Sequence, residues 1–323
     1  MPKVAPKSSL EGLVRGAVRG ERRAISRLMS LAENDPELRI EILSLLYWRA
    51  GKAHIIGITG PPGCGKSTLI ARLAESYSRS GSSVGIVAVD PSSQITGGAL
   101  LGDRIRMADL ASNPKVYIRS MATRGHFGGI ARATEDAVRI LDASGNDYVI
   151  VETAGAGQSD VDVRSLVHTT VVVTAPGLGD EIQALKAGIM EIGDIFVVNK
   201  ADKENADRTA QEINSMVMMT EASNGWRARV IKTTALTGVG VLALFEAIAQ
   251  HASHVKGSSR PDQLESQRLR HDVLEAAKTY FADVTIRKIS SKRRFDKLMG
   301  QVLARKLDPY TAARLLVSKM HSD

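Results

Sequence analysis

One cysteine, Cys64, stands in a chain of 323 residues, which rules out an intramolecular disulfide and fits a reducing compartment, so the cytoplasm is the expected location. Aromatic residues make up only 4% of the chain, too few for the interleaved stacking pattern that single-stranded nucleic acid needs. No apolar run approaches the ~18 uninterrupted residues of a membrane span. The opening Met1-Pro2-Lys3-Val4-Ala5-Pro6-Lys7 lacks the apolar core of a secretion signal, so none is expected. What remains is ordinary for a globular protein: 43% apolar residues, enough for a real core, and 24% charged. The net charge of +8 is unevenly spread. Residues 256–323 hold 15 Lys/Arg against 8 Asp/Glu, so nearly all the excess lies in the last fifth of the chain. Its densest parts are Arg287-Lys288 and Lys292-Arg293-Arg294. A solvated helix face explains that excess most simply, an acidic partner face comes next, and nucleic acid is not expected.

The pattern along the chain predicts three regions. Residues 1–50 form a helical extension, with Leu10, Leu13, Val14, Ala17 and Val18 at helix spacing, then Ile25, Leu28, Met29 and Ala32. Asp35-Pro36 opens a further helix, and Gly51-Lys52 marks the boundary. Across 51–255, strand-like runs alternate with helical segments: Ile55–Thr59, Val84–Asp90, Val116–Ile118, Tyr148–Glu152, Thr170–Thr174, Ile195–Asn199 and Arg229–Thr233. That alternation predicts an α/β fold, a mostly parallel sheet with helices on both faces. His251 to Pro261 reads as a polar linker. Residues 256–323 then form a helical arm, from Gln263 to about Ser290, Phe295 to Arg305 and Pro309 to Met320. Leu264, Leu269, Val273, Leu274 and Ala277 suit an apolar stripe there, one that a second copy or the chain's own body must cover.

Residues 60–68 carry the chemistry. Gly60-Pro61-Pro62-Gly63-Cys64-Gly65-Lys66-Ser67-Thr68 is a Gly-x-x-x-x-Gly-Lys-Ser loop between a predicted strand and a predicted helix. Glycines let the backbone curl so that several N–H groups converge on a polyphosphate. The helix start adds partial positive charge, Lys66 reaches the outer phosphates, and the Ser67 hydroxyl can ligate Mg²⁺. A nucleoside triphosphate is the expected ligand. Cys64 inside this loop raises the possibility of a redox switch, because a helix start lowers a thiol's pKa. A small residue that simply packs is the plainer reading.

The base is predicted by Asn199-Lys200-Ala201-Asp202, an Asn-Lys-x-Asp string closing a strand. The Asp202 carboxylate can accept from both N1–H and the 2-amino group of guanine, whereas adenine offers it no matching pair. Asn199 either meets the purine edge or braces the phosphate loop, and the Lys200 stem can lie along the base. Lys232-Thr233-Thr234-Ala235-Leu236 matches the loop that meets guanine from its other side, with Thr234, Ala235 and Leu236 nearest the base. Glu152-Thr153-Ala154-Gly155 ends a buried-type strand where G-proteins place Asp-x-x-Gly, with the acid facing Mg²⁺ and the Gly155 N–H facing the γ-phosphate.

With these pieces in place the chain resembles the MeaB/ArgK family of P-loop GTPases, which includes the human methylmalonic aciduria type A protein. The resemblance spans residues 57–240 and rests on unusual strings. They are Val89-Asp90-Pro91-Ser92-Ser93 followed by Thr96 to Met107, Arg119 to Gly125, Glu152-Thr153 with Gly155 to Ser159, and Asp180 to Gln183 with Lys186 to Ile192. It implies a GTPase chaperone for an adenosylcobalamin-dependent acyl-CoA mutase, chiefly methylmalonyl-CoA mutase, working as a homodimer through the C-terminal helices. It further implies Mg²⁺ surrounded by Ser67, Asp90, Asp103 and Glu152, and switch stretches around 90–106, 152–158 and 176–186. Ala154 and Ala156 stand where valines are common in the family, which touches switch packing and not nucleotide chemistry. Small G-proteins place a glutamine directly after the Asp-x-x-Gly glycine, but here Ala156 stands there and Gln158 lies two residues on. Lys186, Arg106 and Arg124 can approach the γ-phosphate instead, with Lys186 preferred. Slow basal hydrolysis stimulated by a partner is the expectation.

Three other readings have distinct signatures. A kinase linked to basic amino-acid transport would use ATP, against the Asn-Lys-x-Asp string. A metal-inserting GTPase would need a ligand cluster, which seven His scattered in sequence and one Cys do not offer. A scaffold would bind GTP without turning it over.

Overall fold

The computed structural model describes residues 7–90, 110, 112–122, 132–153, 164, 166–178, 190–220, 225–257, 261–290 and 293–318. Seven strands form one sheet: β1 His54–Thr59, β2 Val84–Asp90, β3 Val116–Ala122, β4 Tyr148–Glu152, β5 Thr169–Thr174, β6 Ile195–Val198 and β7 Arg229–Lys232. Their order is β3-β2-β4-β1-β5-β6-β7, and every pairing is parallel. Each predicted strand is present, and the sheet is wholly rather than mostly parallel. The core strands β1 and β5 are buried along their whole length, as strands covered on both faces must be.

Alternate residues of these strands serve two cores. Ile56 and Ile58 of β1, Val171 and Val173 of β5, and Ile195 and Val197 of β6 point to one face. There they meet Leu69, Ile70, Leu73 and Tyr77 of α4 (Lys66–Arg79) and Leu244 and Ile248 of α7 (Val241–Gly257). On the other face, Ile55, Val87, Val89, Val149 and Val151 pack with α1 (Lys7–Val18), α2 (Arg22–Asn34), α3 (Pro36–Leu46) and α5 (Arg132–Ala143). The same face further along holds Val172, Phe196 and Val198 against Ile213 and Val217 of α6 (Ala206–Met219). The N-terminal helices therefore share a core with the sheet. Asp35 caps α3 by accepting from the N–H groups of Glu37 and Leu38, at 3.0 and 3.1 Å. Asp142 anchors the entry to β1, its carboxylate taking the N–H groups of Gly51, Lys52 and Ala53.

The chain divides into two compact units, Met1–Ser258 and Ser259–Asp323. The second contains α8 (Pro261–Ser290), α9 (Arg293–Leu303) and α10 (Pro309–Ser318). Asp308 caps α10 through the Thr311 N–H at 2.9 Å. Among the described residues no helix is long and apolar enough to cross a membrane.

One expectation is corrected. His251 does not begin a linker: α7 runs on to Gly257, and His251 is buried. Its helix turns it toward the end of the sheet opposite the phosphate loop, where histidines distant in sequence gather. His54 Nε2 and His251 Nδ1 both lie 2.8 Å from Thr169 Oγ1, and His251 Nε2 approaches Asp194 Oδ1 at 3.5 Å. One arrangement of neutral rings satisfies them all: His54 donates to Thr169, Thr169 donates to His251, and His251 faces the carboxylate. His168 Nδ1 accepts the Ile55 N–H, and His254 lies beside Trp226. The four rings are not a metal centre; among the described residues no group of three or more His, Cys, Asp or Glu could hold one.

This network predicts acid sensitivity. Burial pushes His54 and His251 down to about 4, with neighbouring cations adding to the effect, and pushes Asp194 up to about 6. As pH falls from 6.5 toward 4, the unfolded chain takes up two imidazole protons that the fold refuses. The fold gains one on Asp194. The net effect is lost stability on acidification, about 1.4 kcal/mol per pH unit for each net proton. Thermal melts across that window should fall with pH, and the His54→Gln variant should show a slope shallower by about one proton. Equal slopes would refute this account.

Candidate functional site

The sheet order places β4, β2 and β3 on one side of β1 and β5, β6 and β7 on the other. The reversal leaves a crevice at the C-terminal end of β1, where ligands of open parallel sheets bind. Residues 60–65 fill that end and lead into α4 at Lys66. Gly60 has φ 143°, and a Cβ there would strike the Val173 carbonyl on β5, so only glycine fits this close approach. Gly65, at φ 96°, has the Asn199 amide where its Cβ would be. Lys66 is buried, and its Nζ donates to the carbonyls of Gly60 at 2.7 Å and Pro61 at 3.2 Å, folding the ammonium over the loop. Pro62 and Gly63 are exposed, while Thr68 is half-buried on the first turn of α4. Cys64 is fully buried, and burial pushes its thiol up despite the nearby lysine. The opposite of an activated thiol is present. Cys64 packs, in agreement with the plainer reading of the sequence and against the redox-switch alternative.

Beside the loop, the Ser67 hydroxyl donates to Glu152 Oε1 at 2.7 Å, with both side chains buried. The register Ile58↔Glu152 puts this carboxylate at the mouth of the loop, and Thr153 Oγ1 donates to Thr59 Oγ1 at 3.0 Å just beyond. Two hard oxygen donors in contact suit Mg²⁺. Asp90 is the last residue of β2, the strand next to β4, so its backbone ends on the same side of the sheet. Asp103, Gly155 and Lys186 lie outside the described residues, as do Arg106, Arg124 and Gln158.

The base-side segments are cross-braced. Asn199, buried at the end of β6, donates through Nδ2 to the Cys64 carbonyl at 2.9 Å. Its Oδ1 accepts from the Thr233 hydroxyl and the Ala235 N–H, both at 3.1 Å. Of the two roles open to Asn199, bracing is the one the geometry displays. Lys200 adopts φ 56°, and its Nζ donates to the Gly63 carbonyl at 2.6 Å, so its stem spans from β6 to the phosphate loop. Asp202 is exposed, and among the described residues no hydrogen bond or ion pair engages its carboxylate. Its backbone is nevertheless set, because the Ala201 N–H donates to the Thr233 carbonyl at 3.0 Å. Thr234 and Ala235 are buried and Leu236 is 75% exposed. One residue here is absent from the sequence reading of the site, Arg72. Arg72 on α4 donates to the carbonyls of Ala235 at 3.2 Å and Leu236 at 2.8 Å. No sequence signal marks an arginine on an amphipathic helix as a partner of a loop so distant in the chain.

A family model described as Methylmalonyl Co-A mutase-associated GTPase MeaB matches residues 25–291. The chain belongs to the MeaB family. Relatives agree across nearly all its length. A Pyrococcus horikoshii protein named as a GTPase is 45% identical over 315 residues, covering 96% of this chain and 98% of its own. The Escherichia coli protein named GTPase ArgK is 32% identical over 270 residues, covering 81% and 82%. The mouse mitochondrial methylmalonic aciduria type A homolog is 30% identical over 339 residues, covering 97% and 80%. A crystal structure of an LAO/AO transport system kinase superposes with a TM-score of 0.72 over 99% of this chain and 100% of that one. At 24% identity that likeness establishes the shared fold. The MeaB-family fold, the phosphate loop after β1 and relatives named as GTPases make this chain a P-loop GTPase and a guanine-nucleotide binder.

Proposed function

We propose that this MeaB-family GTPase binds GTP with Mg²⁺ and hydrolyses it slowly, serving as a chaperone for an adenosylcobalamin-dependent acyl-CoA mutase, methylmalonyl-CoA mutase first. The observation that carries the nucleotide part is the single brace through Asn199, which joins the phosphate loop at Cys64 to the base loop at Ala235. The mutase part is supported by the family description and the methylmalonic aciduria relative.

In this reading Gly60 to Thr68 wrap the phosphates, with backbone N–H groups donated by the residues other than Pro61 and Pro62. Lys66 leaves its own loop's carbonyls to neutralise the phosphate that departs. Ser67 and Glu152, with Asp90 and Asp103, would hold Mg²⁺, which when bound supplies charge neutralisation across the β- and γ-phosphates. Gly155 would donate its N–H to the γ-phosphate. Asp202 reads the base, the Lys200 stem flanks it, and Thr234, Ala235 and Leu236 close the other side. Lys186 would serve as the further cation at the γ-phosphate. Phosphoryl transfer needs positioning and charge more than covalent help, so a site lacking a glutamine beside Gly155 should turn over on the order of 10⁻² s⁻¹ or slower alone.

Residues 1–50, 51–255 and 256–323 act as helical extension, GTPase body and dimerisation arm, in the cytoplasm. Leu269, Val273 and Leu274 are exposed on α8 and available to a second copy, while the Leu264 side chain lies outside the described ones. The test is hydrolysis of GTP and, alongside, ATP, with and without a purified acyl-CoA mutase from the same source. A slow GTP-only rate that rises several-fold with the mutase is expected. Equal ATP turnover would revive the transport-linked kinase reading that the ArgK name and the structural neighbour's description suggest.

A further inference from the structure

The base loop is fastened to itself through the Thr234 N–H to Val239 carbonyl bond at 2.9 Å and the Thr237 and Gly238 N–H bonds to the Thr234 carbonyl at 3.1 and 2.9 Å. Those bonds shape the loop but do not place it against the phosphate half of the site. Asn199 fixes its inner end through the Ala235 N–H. Leu236, 75% exposed, contributes little apolar packing to hold the outer end. Among the described residues the outer end is held by Arg72, six residues after Lys66 on the same helix. Its Nε and Nη2 donate along one edge of the guanidinium to two successive carbonyls, Ala235 and Leu236. A planar fork that engages two acceptors fixes orientation as well as distance.

We propose that Arg72 is a positioning residue for base recognition: it locks the loop at Ala235–Leu236 to the helix that begins at the phosphate loop, so that the two halves of the nucleotide site keep a fixed spacing. This rests on the guanine reading of that loop. Arg72 touches neither base nor phosphate in this role. The competing explanation is an ordinary surface arginine paired along its helix, since Arg72 Nη1 also meets Glu75 Oε2 at 3.3 Å. Glu75 has a second partner, Arg79 at 2.7 Å, so that pair can be altered separately.

The experiment is calorimetric titration of the full chain with GDP, ADP and inorganic pyrophosphate, the last needing only the phosphate loop. Arg72→Ala should weaken GDP about tenfold while pyrophosphate stays within about twofold. Arg72→Lys, able to reach one carbonyl at a time, should weaken GDP about threefold, and Glu75→Gln should leave it unchanged. Unchanged GDP affinity in Arg72→Ala, parallel loss of GDP and pyrophosphate, or an equal loss in Glu75→Gln would each overturn the proposal. If Arg72→Ala does not fold, Arg72→Lys decides it by the same comparison. A wild-type chain without preference for GDP over ADP would instead overturn the guanine reading beneath it.

Discussion

Asp202→Asn is expected to turn the nucleotide preference from guanine toward xanthine, with a change in the GDP/XDP affinity ratio of about 10³ or more. In the proposed reading the carboxylate would accept from two donors on guanine, N1–H and the 2-amino group. An asparagine amide keeps one acceptor and presents a donor, so it clashes with the 2-amino group and matches the 2-oxo group of xanthine. Sites built on such pairs discriminate strongly because a mismatch leaves a polar group unpaired. The substitution should cost little stability. Asp202 is exposed, and the local backbone is held by other bonds: Ala201 N–H to Thr233 and Lys203 N–H to Lys200, both at 3.0 Å. Competition binding with GDP and XDP reads the outcome directly. A variant that still prefers GDP by its original margin would remove Asp202 from base recognition.

Lys66→Met should lower single-turnover GTP hydrolysis about 10²- to 10³-fold, the range seen when one preorganised charge-stabilising donor is lost. Methionine retains most of the stem, so packing at the start of α4 is conserved while the ammonium is removed. Lys66 now donates to Gly60 and Pro61, and moving from those carbonyls to phosphate oxygens exchanges neutral acceptors for charged ones. Melting temperature measured beside turnover separates the chemistry from the fold. A loss smaller than about fivefold with nucleotide bound would show that the backbone cradle alone carries the charge.

Much of this was legible because it is local. Runs rich in β-branched residues such as Thr170–Thr174 and Ile195–Val198 favour strands locally, and the Gly60 to Thr68 loop needs glycine where φ is positive. Even so, a reason such as Gly60's close approach to Val173 emerges only when β5 lies beside β1. The end of α7 was misread because His251, His254 and Lys256 look like linker composition. Burial of His251 against Thr169 overrides that polarity by satisfying it with hydrogen bonds. For Cys64 the plainer reading, a small residue that packs, agrees with the structure: the helix start favours a thiolate, but complete burial outweighs it.

By itself the sequence determined the phosphate loop, the Asn-Lys-x-Asp string at 199–202 that points to guanine, the order of strands and helices along the chain, and hence a parallel α/β GTPase. Each depends on spacing within a few residues, which short-range backbone geometry fixes. Tertiary structure alone decided that Asn199 would brace Cys64, that Arg72 would reach residues 163 and 164 positions away, and that four histidines spread over two hundred residues would meet at one end of the sheet. Those contacts follow from which strand lies beside which, and that choice is made by burying both faces of the whole sheet at once, not by any single segment.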